Sequence, residues 1–133
     1  MDLEAAIDST TCEHFRALLG KVGSLQCRVM TDSMAPLLAP GDRIVLEPVS
    51  SFGTLRRFDI LVFRYRERLY CHFLWNRSRF GGEMTFTTRS LKEPLKDDVP
   101  VGVGEILGRV RGRAIPLLTR LRIIALNLLR GTA

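Results

Sequence analysis

Apolar positions recur at helical spacing near both ends of the chain and at strand spacing between them. Phe15, Leu18, Leu19 and Val22 share one side of a helix predicted over 11–21, with Thr10 and Glu13 in capping-box relation and Gly20 and Gly23 at its end. A strand follows over 25–30 (LQCRVM), then others over 43–47 (RIVLE), 59–66 (DILVFRYR), 69–75 (LYCHFLW), 83–88 (EMTFTT) and 105–113. Glu67 and Arg68 between two of these strands predict a hairpin, and Gly81 and Gly82 a further turn. In the last strand the period of two puts Arg109, Arg111 and Arg113 on one face, and the surrounding glycines (102, 104, 108 and 112) predict bends or bulges. The expected fold is mainly β: an antiparallel, partly closed barrel or sandwich with an N-terminal helix and a C-terminal amphipathic helix. The expected division is a helical segment over 1–24, a β domain over 25–113 and the C-terminal helix over 114–133.

The tail 115–130 (IPLLTRLRIIALNLLR) has Leu117, Leu118, Leu121, Ile124, Leu128 and Leu129 on one broad face. Thr119, Arg120, Asn127 and Arg130 fall largely opposite, with Ile123 and Leu126 intruding on that side. Three uses fit the pattern: packing on the barrel, lying in a lipid interface with arginines near phosphates, or contact between copies.

The segment 31–42, TDSMAPLLAPGD, interrupts the strand pattern. Pro36 and Pro40 restrict their own φ and the residues before them, and APGD at 39–42 reads as a turn. Ser33 is thereby placed just after an extended segment, at the start of a bend, where a hydroxyl can be held in a fixed position.

Composition narrows the picture. A length of 133 residues, 46% of them hydrophobic and 26% charged, fits one folded domain with one core. The net charge of +6 asks about an acidic partner, but the arginines are spread over the second half rather than gathered in a block. Three cysteines (Cys12, Cys27 and Cys71) with no CxxC pair argue against a disulfide framework or a zinc site and fit a reducing compartment. No metal or cofactor is expected. The acidic N-terminus lacks a basic n-region and no apolar run is long enough to span a bilayer, so the expected location is cytoplasmic, with peripheral membrane contact through 115–130 as a further expectation.

A serine hydroxyl needs a base to act as a nucleophile at neutral pH. The chain has two histidines. His14 falls among charged neighbours on the first helix and reads as solvated, whereas His72 lies in the strand LYCHFLW. Imidazole is the side chain suited to accept and return a proton near neutrality. Cys71 is adjacent to His72, and neighbouring strand residues point to opposite faces, so Cys71 reads as a small core residue.

Taken together and in order, SMAPLLAPGD, DILVF, His72, FTTRSLKEPLKDD and ILGRVRG resemble the blocks of signal peptidases over about 29–116. The nearest likeness is to the histidine-type enzymes of archaea, the endoplasmic reticulum and some Gram-positive bacteria. LexA-type self-cleaving repressors share the SM…GD block more distantly. The resemblance implies Ser33 as nucleophile, His72 as base, Asp97 or Asp98 as the acid supporting the histidine, Thr31 as an oxyanion donor beside the Ser33 N–H, and Met34 and Pro36 as residues shaping the cleft. Departures are visible. Asp32 stands where signal peptidases usually have glycine, the usual TKGD block reads Thr88-Arg89-Ser90-Leu91, and the usual GD before the long strand is Phe58-Asp59. No N-terminal membrane anchor is apparent.

The implied function is a serine endopeptidase cutting a leader or signal-like segment of a peptide or precursor protein, with small side chains near the cut. Two other classes compete with it. One is a non-catalytic relative using the same barrel for binding or regulation. The other is a nucleic-acid-binding barrel, suggested by the charge and by Phe63, Tyr65, Phe73 and Trp75 beside arginines, although core packing accounts for those aromatics better.

Overall fold

A computed structural model describes residues 1–131; the last two residues of the expected C-terminal segment lie outside the described residues. Seven antiparallel strands form one sheet: β1 (Leu25–Arg28), β2 (Arg43–Glu47), β3 (Ile60–Tyr65), β4 (Arg68–Phe80), β5 (Glu83–Arg89), β6 (Val101–Gly102) and β7 (Ile106–Arg111). Their order is β1-β2-β7-β3-β4-β5-β6, so β1 and β6 are edges and the sheet is not closed. Helices α1 (Ser9–Val22) and α2 (Leu117–Gly131) flank it. The mainly-β architecture with a helix near each end is the expected one.

Alternation along the strands gives the sheet two apolar faces. One cluster contains Leu69, Cys71, Phe73 and Trp75 of β4 with Leu3, Val29, Met34 and Leu38; the other contains Leu61, Phe63, Leu74 and Phe86, with Tyr70 packed against it. β4 therefore sends its odd residues from Leu69 to Trp75 into one core and Tyr70 and Leu74 into the other.

Several local readings are corrected. The N-cap of α1 is Asp8, whose carboxylate accepts from the Thr11 N–H at 2.7 Å, rather than Thr10. Accepting this bond holds the Asp8 carboxyl below the usual carboxylate range. The docked face of α1 is Cys12, Phe15 and Leu19; Leu18 and Val22 are exposed. Arg16 reaches over β7, its Nε donating to the Ile106 carbonyl at 2.9 Å and its other nitrogen to the Gly104 carbonyl. The segment before α1 is not helical: isolated bridges Asp2↔Arg28 and Ala6↔Arg68 flank a turn at Leu3 and Glu4, the latter at φ 65.

The β3–β4 turn is Arg66-Glu67, one residue earlier than expected, both with positive φ. This is the twist that a two-residue hairpin requires. β4 runs past Trp75 because NRSR pairs with β5 as a polar ribbon, after a register shift between Leu74 and Asn76. Backbone pairing carries that extension, so hydrophobic alternation does not mark it. The short strand β6 was likewise not visible in the pattern.

The largest correction concerns α2. It docks through Ile123, 3% exposed, with Ile124 partly covered, while Leu117, Leu118, Leu121, Leu128 and Leu129 are 53–81% exposed. The polar side faces the body: Asn127 Oδ1 accepts from Arg89 at 3.3 Å, Arg130 Nη1 donates to the Leu95 carbonyl at 2.9 Å, and the Arg120 guanidinium lies 5.7 Å from the Phe58 ring centroid. The broad leucine face does not pack on the sheet. No helix among the described residues is long and apolar enough to cross a membrane.

Candidate active site

His72 sits near the middle of β4, opposite Leu61 of β3. Its ring lies edge-on to Phe63, centroids 5.9 Å apart, and tilted against Tyr70 at 6.0 Å. These aromatics fix the imidazole plane and shield one side from water. Nδ1 is 2.6 Å from Asp98 Oδ2. The same carboxylate oxygen accepts from the Thr88 hydroxyl at 2.7 Å, and the Asp98 N–H donates to the Thr88 carbonyl at 2.9 Å. Thr88 is fully buried at the end of β5, so it holds Asp98 by main chain and side chain together. A cleft of about 300 Å³ opens beside the histidine, walled by Phe63, Tyr65, Tyr70 and Val99.

Asp97 goes elsewhere. Its carboxylate accepts from Arg89 Nε at 2.6 Å. Arg89 is 5% exposed, lies over the Trp75 ring at 4.1 Å and also donates to the Pro94 carbonyl at 3.0 Å. Arg57 covers the Trp75 ring at the same centroid distance of 4.1 Å. The strand register explains this division. Thr88 pairs with Leu74 and Arg89 with Phe73, so the two residues face opposite sides of the sheet. The adjacent aspartates each follow one of them.

The turn carrying Ser33 is closed at its base by Val29 N–H to the Asp42 carbonyl at 2.8 Å and Gly41 N–H to the Val29 carbonyl at 2.7 Å. The turn 39–42 forms as read, with Asp42 N–H to the Ala39 carbonyl at 3.0 Å and Gly41 at φ 94. Thr31 Oγ1 donates to Ser33 Oγ at 3.3 Å. Among the described residues the Ser33 N–H has no acceptor. Asp32 is turned outward to Lys92 Nζ, 2.5 Å away, which holds its carboxyl below the ordinary range. The Lys92 N–H donates to the Ser33 carbonyl at 3.1 Å, so the loop after β5 clasps the serine turn twice. Met34 is buried and Pro36 exposed.

Ser33 and His72 meet β4 at neighbouring residues. Pairing with β5 stops at Phe73↔Arg89, and the bridge to the N-terminal segment is at Ala6↔Arg68. Glu4 N–H also donates to the Leu69 carbonyl at 2.7 Å, so among the described residues the side of β4 left without a backbone partner is 70–72. Ser33 lines a crevice of about 10 Å³ there with Cys71, Glu4 and Met34, the scale of a single water. Cys71 and His72 point to opposite faces, and no hydrogen bond joins Ser33 Oγ to the imidazole. The structure thus joins His72 to Asp98 and Thr31 to Ser33, and brings the two pairs to adjacent residues of one strand without linking them directly.

His14 is exposed on α1. All three cysteines are buried free thiols, and burial pushes Cys71 up to about 12. Phe63, Phe73 and Trp75 are buried in the cores and present no face for stacking on bases. Thr88 is the residue of this site to which sequence reasoning gave no role. It could be found only as a hydroxyl on the strand facing His72, a feature with no spacing signature. No family model, curated protein or solved structure matches the chain.

Proposed function

We propose that the chain is a serine endopeptidase in which Ser33 is the nucleophile and His72 the base. The observation that carries this reading is the hydrogen-bonded chain His72–Asp98–Thr88, with its 2.6 Å contact to the imidazole Nδ1. Such a carboxylate fixes the tautomer, keeping Nδ1 protonated and Nε2 free to accept, and stabilises the imidazolium formed during attack.

In this reading an extended peptide lies along the unpartnered side of β4 and is held by main-chain pairing. Ser33 Oγ attacks the scissile carbonyl and passes its proton to His72. The oxyanion receives the unpartnered Ser33 N–H and the Thr31 hydroxyl, which swings from Ser33 Oγ to the developing charge. The imidazolium protonates the leaving amine, and water then releases the acyl group by the reverse proton path. Ser33 lies on the Cys71 side of the strand edge and the His72 ring on the other, so the proton transfer from Ser33 to His72 requires the two to close on one another when substrate binds. The substrate class is a leader or signal-like segment of a peptide or precursor protein, with small side chains at the cut.

The missing Ser33–His72 hydrogen bond is also the specific observation that favours a second reading, a non-catalytic binding barrel. One experiment separates them. A serine-directed fluorophosphonate should label Ser33 in the wild-type chain and fail to do so in His72→Ala, and Ser33→Ala should abolish peptide cleavage. Equal labelling with and without His72, or no labelling at all, sinks the peptidase reading.

A further inference from the structure

We propose that α2 lies in the surface of an anionic lipid bilayer, leucine face in the acyl boundary and Arg122 at the phosphates. The inference does not depend on the catalytic reading. Leu118 and Leu129 are each 81% exposed, Leu117 68% and Leu128 63%. They occupy a single arc of the helix with Leu121 and Ala125, so the unpartnered surface is continuous. The opposite side is already engaged through Ile123 and through Asn127, which accepts from Arg89, so α2 cannot roll to bury the leucines without breaking its own docking.

Charge identifies the occupant. Every Asp and Glu of the chain lies at or before Glu105. The residues after it hold six arginines and no lysine, which equals the whole net charge of +6. Arg109 pairs with Glu47 and Asp59, Arg113 with Asp42, and Arg120 and Arg130 donate to backbone carbonyls, so among the described residues Arg122 is the helix arginine free to meet a partner. Arg122 flanks the leucine arc next to Leu118 and Leu129, is exposed, and has no ion-pair partner among the described residues. Packing two copies of α2 face to face would set the Arg122 of each copy at the seam with no acid in either helix to answer them. Lipid phosphates answer them directly. Fifteen residues at helical rise span about 22 Å, too short to cross the hydrocarbon core but ample for lying in the interface. An amphipathic helix with leucine on one face and arginine at its margin binds by apolar burial and anionic attraction together.

The test is flotation of the full chain with vesicles of phosphatidylcholine alone and of phosphatidylcholine mixed with phosphatidylglycerol. The wild-type chain should float with the anionic vesicles and far less with the neutral ones, and added salt should weaken binding. The double variant Leu118→Asn/Leu129→Asn should partition at least about tenfold more weakly, and Arg122→Glu several-fold more weakly. All three side chains are exposed, so thermal melts should match wild type and exclude misfolding. Absence of wild-type flotation on anionic vesicles at low salt overturns the proposal, as does unchanged partition of the leucine variant. Sedimentation showing self-association that the leucine variant abolishes, without vesicle binding, assigns the face to a second copy instead.

Discussion

Asp97 and Asp98 are chemically identical neighbours with different partners. Asp98 reaches His72 and Thr88, while Asp97 reaches the buried Arg89. Two single substitutions should therefore separate. Asp98→Asn leaves the packing intact but presents the wrong partner to Nδ1, so under the proposed peptidase function cleavage should fall by about 10²–10⁴ with the melting curve little changed. Asp97→Asn should leave cleavage rate unchanged and lower stability by about 1–2 kcal/mol, because Arg89 loses a charge-assisted bond but keeps the Pro94 carbonyl and the Trp75 ring. Parallel denaturant melts and turnover assays check both, and a reversed pattern would reassign the acid. Phe58 is a related case. It stands where the resembling family has glycine and adopts φ 76, a conformation rare for a side chain of that size. Stacking on Phe73 at 5.7 Å and burial to 6% exposure offset the strain.

At the level of elements, the docking of α1 against β7 turns on one glycine. A Cβ at Gly108 would meet the Glu47 carbonyl oxygen and Leu19 Cδ2, both at 2.8 Å. Leu19 can shift, but the β2 backbone cannot without disturbing its pairing with β7. Gly108→Ala should destabilise by about 1–3 kcal/mol through overpacking. Gly104→Ala, where nothing lies within 4 Å and φ is not positive, should be neutral or slightly stabilising. Urea midpoints of the two variants measure the contrast, and equal midpoints would show that the helix–sheet gap is not tight. The face α1 actually buries, Cys12, Phe15 and Leu19, was obscured in sequence by Leu18 and Val22, which have the same hydrophobicity and no partner.

For the molecule as a whole, two buried thiols give stability an alkaline limit. Burial raises Cys27 from 9.0 to about 11 and Cys71 from 9.0 to about 12. The folded state therefore keeps protons that the unfolded chain releases. The stability these groups contribute is complete below pH 9.0 and is lost progressively as pH rises toward about 11 and 12. Denaturation midpoints measured from neutral pH upward should fall more steeply for the wild-type chain than for Cys27→Ala/Cys71→Ala, since other alkaline titrations are common to both. Coincident slopes would place the thiols in contact with water. Native Cys71 should also resist alkylation at neutral pH, where its thiolate is scarcely populated.

The sequence by itself determined what depends on local chemistry: a mainly-β chain with a helix near each end, the turn at 39–42, the glycine hairpin at 81–82, and a serine held at the start of a bend. It also placed His72 and Cys71 on opposite faces, because strand alternation is a property of the backbone. Tertiary structure decided what depends on register and on which surface is covered. The pairing of Thr88 with Leu74 and Arg89 with Phe73 sends Asp98 to the histidine and Asp97 away from it. The contacts of Ile123 and Asn127 turn the leucine face of α2 outward. Hydrophobic periodicity marks a face as apolar, but only the packed neighbours determine whether that face is buried.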